Sequence, residues 1–205
     1  MNMKTLLHAA IPAVFFISAA PFAVGQTFDA YFSAGQQLMT NADLGSLSGD
    51  VTQDVAKFSD GFRFGFRMGF AWKDWFGHEI GYAYNRTHLK DISSGTSQDL
   101  GGMAAHQGFY DFLVYGTKEG HRIRPFVAGG AQFTNFVPPG SSASYGQGEN
   151  KFGLNYGVGV KARITSMFGI RLDYRQYWMG KPFSLPGASG HLFLNEISAG
   201  FGIVM

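Results

Sequence analysis

Residues 61–72 of the chain, GFRFGFRMGFAW, alternate strictly between two kinds of side chain. The even positions carry large apolar residues, and the odd positions carry glycine, arginine and one alanine. A repeat of period two is typical of a β-strand whose two faces meet different surroundings. This stretch therefore predicts a strand with one wholly apolar face, and it leaves open which face meets water.

The same alternation recurs along the rest of the chain and predicts eight strands in all. Most of them are near ten residues or longer, whereas strands of soluble proteins usually have about five or six. The other seven segments are residues 27–36, 78–86, 108–116, 122–136, 150–163, 169–178 and 196–205.

The links between these strands alternate between short and long. This alternation is typical of an up-and-down meander with tight turns at one end and long loops at the other, as in transmembrane barrels. The short turns are predicted around 73–77, 117–121 and 164–168, and the long polar links around 38–58, 88–104, 137–149 and 180–190.

The first 25 residues have the pattern of a secretory signal peptide. A basic start at Lys4 precedes an apolar core, and small residues follow at Ala23 and Gly25. The sequence therefore predicts a cleaved leader, residues 1–25, and one mature domain, residues 26–205. An uncleaved membrane helix is the alternative, but two prolines interrupt the apolar core.

Composition narrows the class of protein further. The chain combines 29 Gly with 21 Phe, 9 Tyr and 3 Trp, which favours strands and turns over helices. The net charge is only +2 and no basic tract is present, so nucleic acid is not an expected partner. The absence of cysteine excludes disulfides and thiolate metal ligands.

Two architectures fit eight alternating strands, a soluble carrier barrel with its apolar face inside and a membrane barrel with that face outside. An eight-stranded barrel has little interior volume, so the many aromatic side chains would overfill it. The alternate positions from Phe62 to Trp72 also span about 25 Å along the axis of a tilted strand, which matches the apolar band of an outer-membrane barrel. Both arguments favour the membrane barrel.

The last strand carries an apolar ladder at Ile197, Ala199, Phe201, Ile203 and Met205. With this ladder, the FDAYFSAG start and the IRPFVAGGAQF strand, the chain resembles the small eight-stranded outer-membrane barrels of Gram-negative bacteria, the outer-membrane protein A/X-like family. The resemblance implies an all-β, eight-stranded antiparallel up-and-down transmembrane β-barrel. It also implies that the ladder is an assembly signal for the barrel-assembly machinery, although such ladders usually end in Phe.

This arrangement assigns the outward side chains to membrane lipids. The expected interfacial girdle consists of Trp72, Trp75, Phe76 and Trp178. The expected lipid-facing residues are Phe62, Phe64, Phe66, Met68, Phe70, Phe152, Leu154, Tyr156, Val158 and Val160.

The predicted interior carries eight basic and four acidic side chains, which must be paired or hydrated. A plug of ion pairs without a continuous pore is one interpretation. A second interpretation, favoured by the excess of basic residues, is a narrow anion-preferring pore. A third interpretation is a small-ligand pocket near the loops. The twelve residues are Arg63, Arg67, Arg124, Lys151, Lys161, Arg163, Arg171 and Arg175 with Glu79, Asp111, Asp173 and Glu196.

The sequence gives only a weak signal for catalytic residues. Some small outer-membrane barrels modify lipids with Ser, His and a carboxylate, and the nearest set here is Ser189, His191 and Glu196. Because His191 and Glu196 have opposite parity on one strand, they are expected on opposite faces. The histidines show no metal-ligand spacing, and no cofactor is expected. A lipid-modifying enzyme therefore remains the last alternative.

The long loops supply the favoured function. Loops on a rigid scaffold often carry binding sites. We therefore predict a non-enzymatic outer-membrane protein with a structural or surface-interaction role, toward a surface ligand that the sequence does not identify. Apolar groups that could anchor a partner are Phe58, Leu89, Ile92, Tyr145, Phe183 and Leu185.

Overall fold

The computed structural model describes residues 27–141 and 148–205, which form ten β-strands. None of the residues described belongs to a helix long and apolar enough to cross a membrane. The predicted signal peptide, residues 1–25, and Tyr145 lie outside the described residues. The strands are β1 (Phe28–Thr40), β2 (Asp43–Gly45), β3 (Asp54–Phe58), β4 (Gly61–Trp72), β5 (Phe76–Ser93), β6 (Thr96–Tyr115), β7 (Ile123–Val137), β8 (Glu149–Arg163), β9 (Phe168–Gly180) and β10 (His191–Val204).

Eight of these strands close into a barrel. From β4 to β10 each strand pairs antiparallel with the next, and β1 pairs with both β4 and β10. The closing seam is long, because β1 and β10 stay in register from Asp29 opposite Val204 to Thr40 opposite Phe193. The predicted eight-stranded antiparallel up-and-down barrel is confirmed.

The barrel has two unlike ends. Its short-turn end carries the links at 73–75, 116–122 and 164–167 and the close of the chain, where the Phe28 N–H donates to Met205 O at 3.0 Å. Its long-loop end carries the remaining links. In outer-membrane barrels short turns face the periplasm and long loops face the cell exterior.

Two of the predicted long polar links contain regular strands. The link at 38–58 contains β2 and β3, and β3 pairs with the end of β5 from Asp54 opposite Ser93 to Phe58 opposite Leu89. The link at 88–104 is a continuous hairpin of β5 and β6. Its two-residue turn, Ser94 and Gly95, has positive φ at both positions (49° and 79°), as a type I′ turn requires.

This β5–β6 hairpin projects beyond the barrel wall. β4 begins at Gly61, so residues 88–93 of β5 extend past it by about 20 Å along the strand. With β3 on its free edge and the three-residue β2 paired to β3, the projection is a four-stranded sheet rather than a flexible loop.

The two faces of the wall differ as the alternation predicts. In β4 the odd side chains from Arg63 to Ala71 are buried inside the barrel, and the even ones point outward. Polar groups on the outer face pair with one another, as in the 2.6 Å contact of His78 Nδ1 with Tyr110 Oη and that of Tyr82 Oη with His106 Nδ1. Such pairing limits the cost of placing them against hydrocarbon.

Candidate functional site in the barrel interior

The middle of the barrel interior is filled by ten charged side chains joined by ion pairs, called here the ionic network. Its five basic and five acidic members balance, so the network is neutral. All ten are at least nine-tenths buried. The members are Arg63, Arg67, Lys161, Arg171 and Arg175 with Asp29, Glu79, Asp111, Asp173 and Glu196.

Glu79 on β5 is the centre of the ionic network. Its fully buried carboxylate lies 2.7 Å from Arg171 Nη1 and 3.2 Å from both Arg67 Nη1 and Arg175 Nη2. Lys161 Nζ lies farther away, at 3.8 Å. One carboxylate therefore holds together side chains from β4, β8 and β9 across the interior.

Glu196 on β10 is a second centre, nearer the long-loop end. Arg63 Nε lies 3.1 Å and Arg67 Nη2 2.8 Å from its carboxylate. The Tyr177 and Ser198 hydroxyls donate to the same group at 2.8 and 2.5 Å. This carboxylate is saturated by donors, as a buried charge requires.

The other acidic members neutralise the remaining cations. Arg171 Nε lies 2.6 Å from Asp173, and Arg175 Nη1 lies 2.6 Å from Asp111. Lys161 Nζ lies 2.7 Å from Asp29 at the short-turn side of the network. Each charge thus has an opposite charge in direct contact, which offsets the cost of burial.

The long-loop end of the interior is filled by an apolar cluster, called here the apolar plug. It combines inward side chains of the wall with residues of β2 and β3. Met39, Leu100, Phe183 and Leu185 pack against it while partly buried. Its buried members are Ala42, Leu44, Ala56, Phe58, Leu89, Met103, Ala105, Phe109, Phe136, Tyr177, Met179, Leu192 and Leu194.

Loop contacts hold the apolar plug in place. The ring of Phe58 stacks on Phe136 at 5.7 Å and meets the edge of Phe183 at 6.4 Å. The Ser46 N–H donates to Pro186 O at 2.9 Å, which joins the segment after β2 to the link between β9 and β10. The apolar plug is therefore part of the folded barrel, held by ring contacts and by a backbone hydrogen bond.

Asp54, at the start of β3, orders the turn between β2 and β3. Its carboxylate accepts hydrogen bonds from the Ser46 and Ser48 hydroxyls and from the Leu47 and Ser48 N–H groups. The Ser46 and Ser48 hydroxyls are the main cause that lowers the pKa of Asp54 to about 2. The carboxylate therefore fixes this turn while it is ionised.

Ten of the twelve charges predicted for the interior lie buried there, and two do not. Lys151 is partly exposed at the long-loop end, where it pairs with Glu149 at 2.7 Å, and Arg163 is partly exposed at the short-turn end. Asp29 was not among the predicted charges but is a network member, because it has the same parity as inward-pointing Tyr31. The predicted basic excess of eight to four is therefore wrong for the centre of the barrel.

The apolar loop residues predicted as exposed anchors are mostly part of the interior. Phe58 and Leu89 are buried, and Phe183 and Leu185 pack against the apolar plug. Ile92 alone of the described anchors stays on the surface, with 36% of its area exposed. Spacing along the chain could not show this, because the loops fold back over the barrel mouth.

The residues predicted to face lipid all point away from the interior, with Met68 and Val160 the least exposed of the ten. Trp72 and Trp75 lie on the outer surface at the short-turn end, with Phe76 partly covered beside them. Trp178 lies toward the opposite end. The C-terminal ladder, Ile197 to Met205, also points outward.

The candidate catalytic residues do not come together. Glu196 points into the interior and is engaged in the ionic network. His191 is on the outside, with its ring centroid 4.7 Å from that of Trp178, and Ser189 is exposed in the preceding loop. The opposite parity of His191 and Glu196 accounts for this separation.

This architecture is shared with a known protein family and with solved structures. Residues 9–203 match the family model described as outer membrane protein beta-barrel domain. The fold is similar to that of the outer membrane protein OprG from Pseudomonas aeruginosa, with 13% sequence identity, a TM-score of 0.60, and coverage of 88% of this chain and 95% of that one. It is also similar to Neisserial surface protein A, with 16% identity, a TM-score of 0.52, and coverage of 87% of this chain and 98% of that one.

A comparison with curated proteins found no match. At these identities the two solved structures bear on the fold alone. The family match spans nearly the whole chain and agrees with the closed barrel and its outward aromatic face. The chain belongs to the outer membrane protein beta-barrel domain family, and the protein lies in the outer membrane.

Proposed function

We propose that this protein is a closed barrel that does not conduct through its interior and acts structurally or through surface contacts at its long-loop end. The observation that carries the proposal is the filled interior. A neutral ionic network lies beneath an apolar plug, and these two layers of different chemistry support a lumen closed to ions.

The two layers oppose ion flow for different reasons. An ion crossing the ionic network must break buried ion pairs, and separating a buried charge from its partner costs about 3–5 kcal/mol. An ion crossing the apolar plug must lose its hydration without gaining polar contacts. The alternative, a narrow anion-preferring pore, loses its main support because five acidic groups balance five basic ones.

The surface role rests on the β5–β6 hairpin. With β3 at its edge, this hairpin is an ordered sheet outside the barrel, and Ile92 on it is exposed. Ordered binding surfaces lose less conformational entropy on binding than flexible loops do. The exposed side chains of Leu47 and Val51 add apolar surface at the same end of the barrel.

Trimming the hairpin tests the surface role. Residues 90–100 are replaced by Asn-Gly, which joins Leu89 to Gly101, a pair already opposed in the ladder. A control replaces only Ser94 and Gly95 by Asn-Gly and keeps the full hairpin. Vesicles displaying each variant are tested for binding to immobilised matrix proteins and polysaccharides. We expect the trimmed variant to stay heat-modifiable on gels and to lose binding that the control retains. Equal binding by both would exclude the hairpin as the site.

The protein is proposed to have no enzymatic activity, since the exposed His191 is separated from the buried Glu196 by the barrel wall. Lipid A from cells expressing the protein is expected to have the same mass whether His191 is present or replaced by alanine. A product that appears with the wild-type chain and vanishes in H191A would support a lipid-modifying enzyme instead.

We propose that residues 1–25 direct export and that the outward ladder on β10 is read by the barrel-assembly machinery. The ladder side chains of Ile197 and Phe201 are more than half exposed, which leaves them accessible to a partner and then to lipid. Replacing Phe201 by Asp is expected to reduce the amount of heat-modifiable protein in outer membranes. An unchanged amount would argue against the ladder as the signal.

A further inference from the structure

The barrel interior opens at the short-turn end into a recess, called here the basic recess. Four of its lining side chains are basic: Arg122, Arg124, Lys161 and Arg163. Asp29 is the one acidic residue that lines it, and His121 lies at its edge. With histidine neutral, the lining carries a net charge of +3, in contrast with the neutral ionic network beside it.

Three of these cations have no ionic partner within the part of the chain that the structure describes. Lys161 is neutralised by Asp29 at 2.7 Å, but no carboxylate lies within 4.0 Å of the guanidinium groups of Arg122, Arg124 and Arg163. The nearby Glu119 accepts a hydrogen bond from Thr27 at the rim. The remaining positive charge is therefore concentrated on three side chains that face one space.

Arg124 gives the strongest sign of a built site. Its side chain is more than nine-tenths buried, and its Nη2 donates to Asp74 O at 2.8 Å. Its Nε–H is also buried but has no hydrogen-bond partner among the described residues. A buried donor without a partner is destabilising, so Arg124 retains unused hydrogen-bonding capacity at the wall of the recess.

The strand register adds a second argument. Arg124 is directly opposite Lys161 across β7 and β8, and the Arg163 N–H donates to Arg122 O at 2.7 Å one step nearer the rim. Like charges that oppose each other destabilise a strand pair. Asp29 already offsets Lys161, so the positive charge left uncompensated by these facing pairs is that of Arg122, Arg124 and Arg163, which an anion at the mouth of the recess would offset.

We propose that the basic recess binds a phosphate-class oxyanion, either free phosphate or the phosphoryl group of a lipid headgroup. Guanidinium groups match the geometry and charge of such oxyanions. The cavity volume of the recess is about 20 Å³, little more than one water molecule needs. A phosphoryl group would therefore bind at the open mouth of the recess, and a large ligand would not enter it.

The first experiment uses the full folded protein in an uncharged detergent at low salt. Inorganic phosphate is titrated by calorimetry into the wild type, R124Q, R163Q, R163K and the control R86Q. Arg86 lies on the outer face of β5 beside Tyr84, away from the recess. We expect R124Q and R163Q to bind phosphate at least about tenfold more weakly, with R163K intermediate and R86Q within about twofold of wild type.

The second experiment separates free phosphate from a lipid source. The same proteins are placed in bilayer discs of phosphatidylcholine with added phosphatidic acid, and retained lipids are counted by native mass spectrometry. Saturable phosphate binding that R163Q weakens supports a free-ion site. Retention of phosphatidic acid that R163Q abolishes supports a headgroup site.

Heat-modifiability verifies that each variant is folded, and the rim position of Arg163 keeps the test available if R124Q does not fold. Absence of both kinds of binding in the wild type would overturn the proposal. Equal weakening by R86Q and R163Q would also overturn it, because it would indicate nonspecific attraction to positive charge.

Discussion

Replacing Glu79 by Gln tests the ionic network at its centre. The change keeps the size of the side chain and removes one negative charge. The carboxylate it removes lies within 3.2 Å of guanidinium groups on Arg67, Arg171 and Arg175. The network would pass from five acidic groups against five basic ones to four against five.

The expected cost follows from the burial of these cations. Arg67, Arg171 and Arg175 keep other acidic partners, so the loss is smaller than the sum of the broken pairs. Removing one partner from a buried ion pair typically costs about 3–5 kcal/mol, because a charge is left uncompensated. We expect E79Q to lower the free energy of unfolding by about that amount.

Urea unfolding in phospholipid vesicles, followed by tryptophan fluorescence and by gel shift, measures this change. The matched control is E119Q, which removes a carboxylate from a turn outside the network and is expected to cost less than about 1 kcal/mol. The double variant E79Q with R67Q restores equal numbers of charges. It should cost about 1–3 kcal/mol less than the sum of the two single variants. Stability of E79Q within about 1 kcal/mol of wild type would refute this account of the network.

Two further predictions concern the long-loop end. Replacing Phe58 by Ala removes a ring that stacks on Phe136 in the apolar plug and should cost about 3–5 kcal/mol; an unchanged unfolding midpoint would show that the plug adds no stability. Asp54 has a folded-state pKa of about 2, below its ordinary 3.8, so the stability it gives is present above about pH 4 and is lost as the pH falls toward 2. The amide resonances of Leu47 and Ser48 should shift across this range in the wild type and stay constant in D54N; identical titrations in both proteins would assign the effect elsewhere.

The barrel could be predicted from sequence because its signal is local. The alternation from Phe62 to Trp72 is a direct consequence of strand geometry, and it assigns every side chain to one of two faces. Adding the volume of an eight-stranded interior decides which face is inside. For the same reason Arg63, Arg67 and Glu79 were predicted to point inward, and all three are buried in the structure.

The position of a side chain along the barrel axis, and contacts between residues far apart in the chain, could not be predicted in this way. Parity indicates that Lys151 and Arg163 point inward but not that they lie at opposite rims of the barrel. The segment around Asp29 alternates weakly, so its carboxylate was not assigned to the interior. The position of Phe58 depends on contacts with Phe136 and Phe183, far along the chain, which no local pattern records.

The β5–β6 hairpin was missed for a different reason. Its tip, Ser94 and Gly95, lies in the polar run ISSGTS, which has the composition of a loop. The turn type requires positive φ at both positions, and glycine satisfies this readily at the second. Short polar strands paired on both sides of such a turn lack the apolar alternation that marks the membrane-spanning segments.

The closed interior is the central claim, and single-channel recording in planar bilayers tests it most directly. Purified protein, shown by its gel shift to be folded, is inserted into bilayers in 1 M KCl alongside a general porin as positive control. We expect no stable unitary conductance steps from the wild-type chain while the porin conducts. Reproducible steps that fall when Arg67 or Arg171 is replaced by a bulky neutral residue would show that ions pass through the interior, and the closed-barrel account would be wrong.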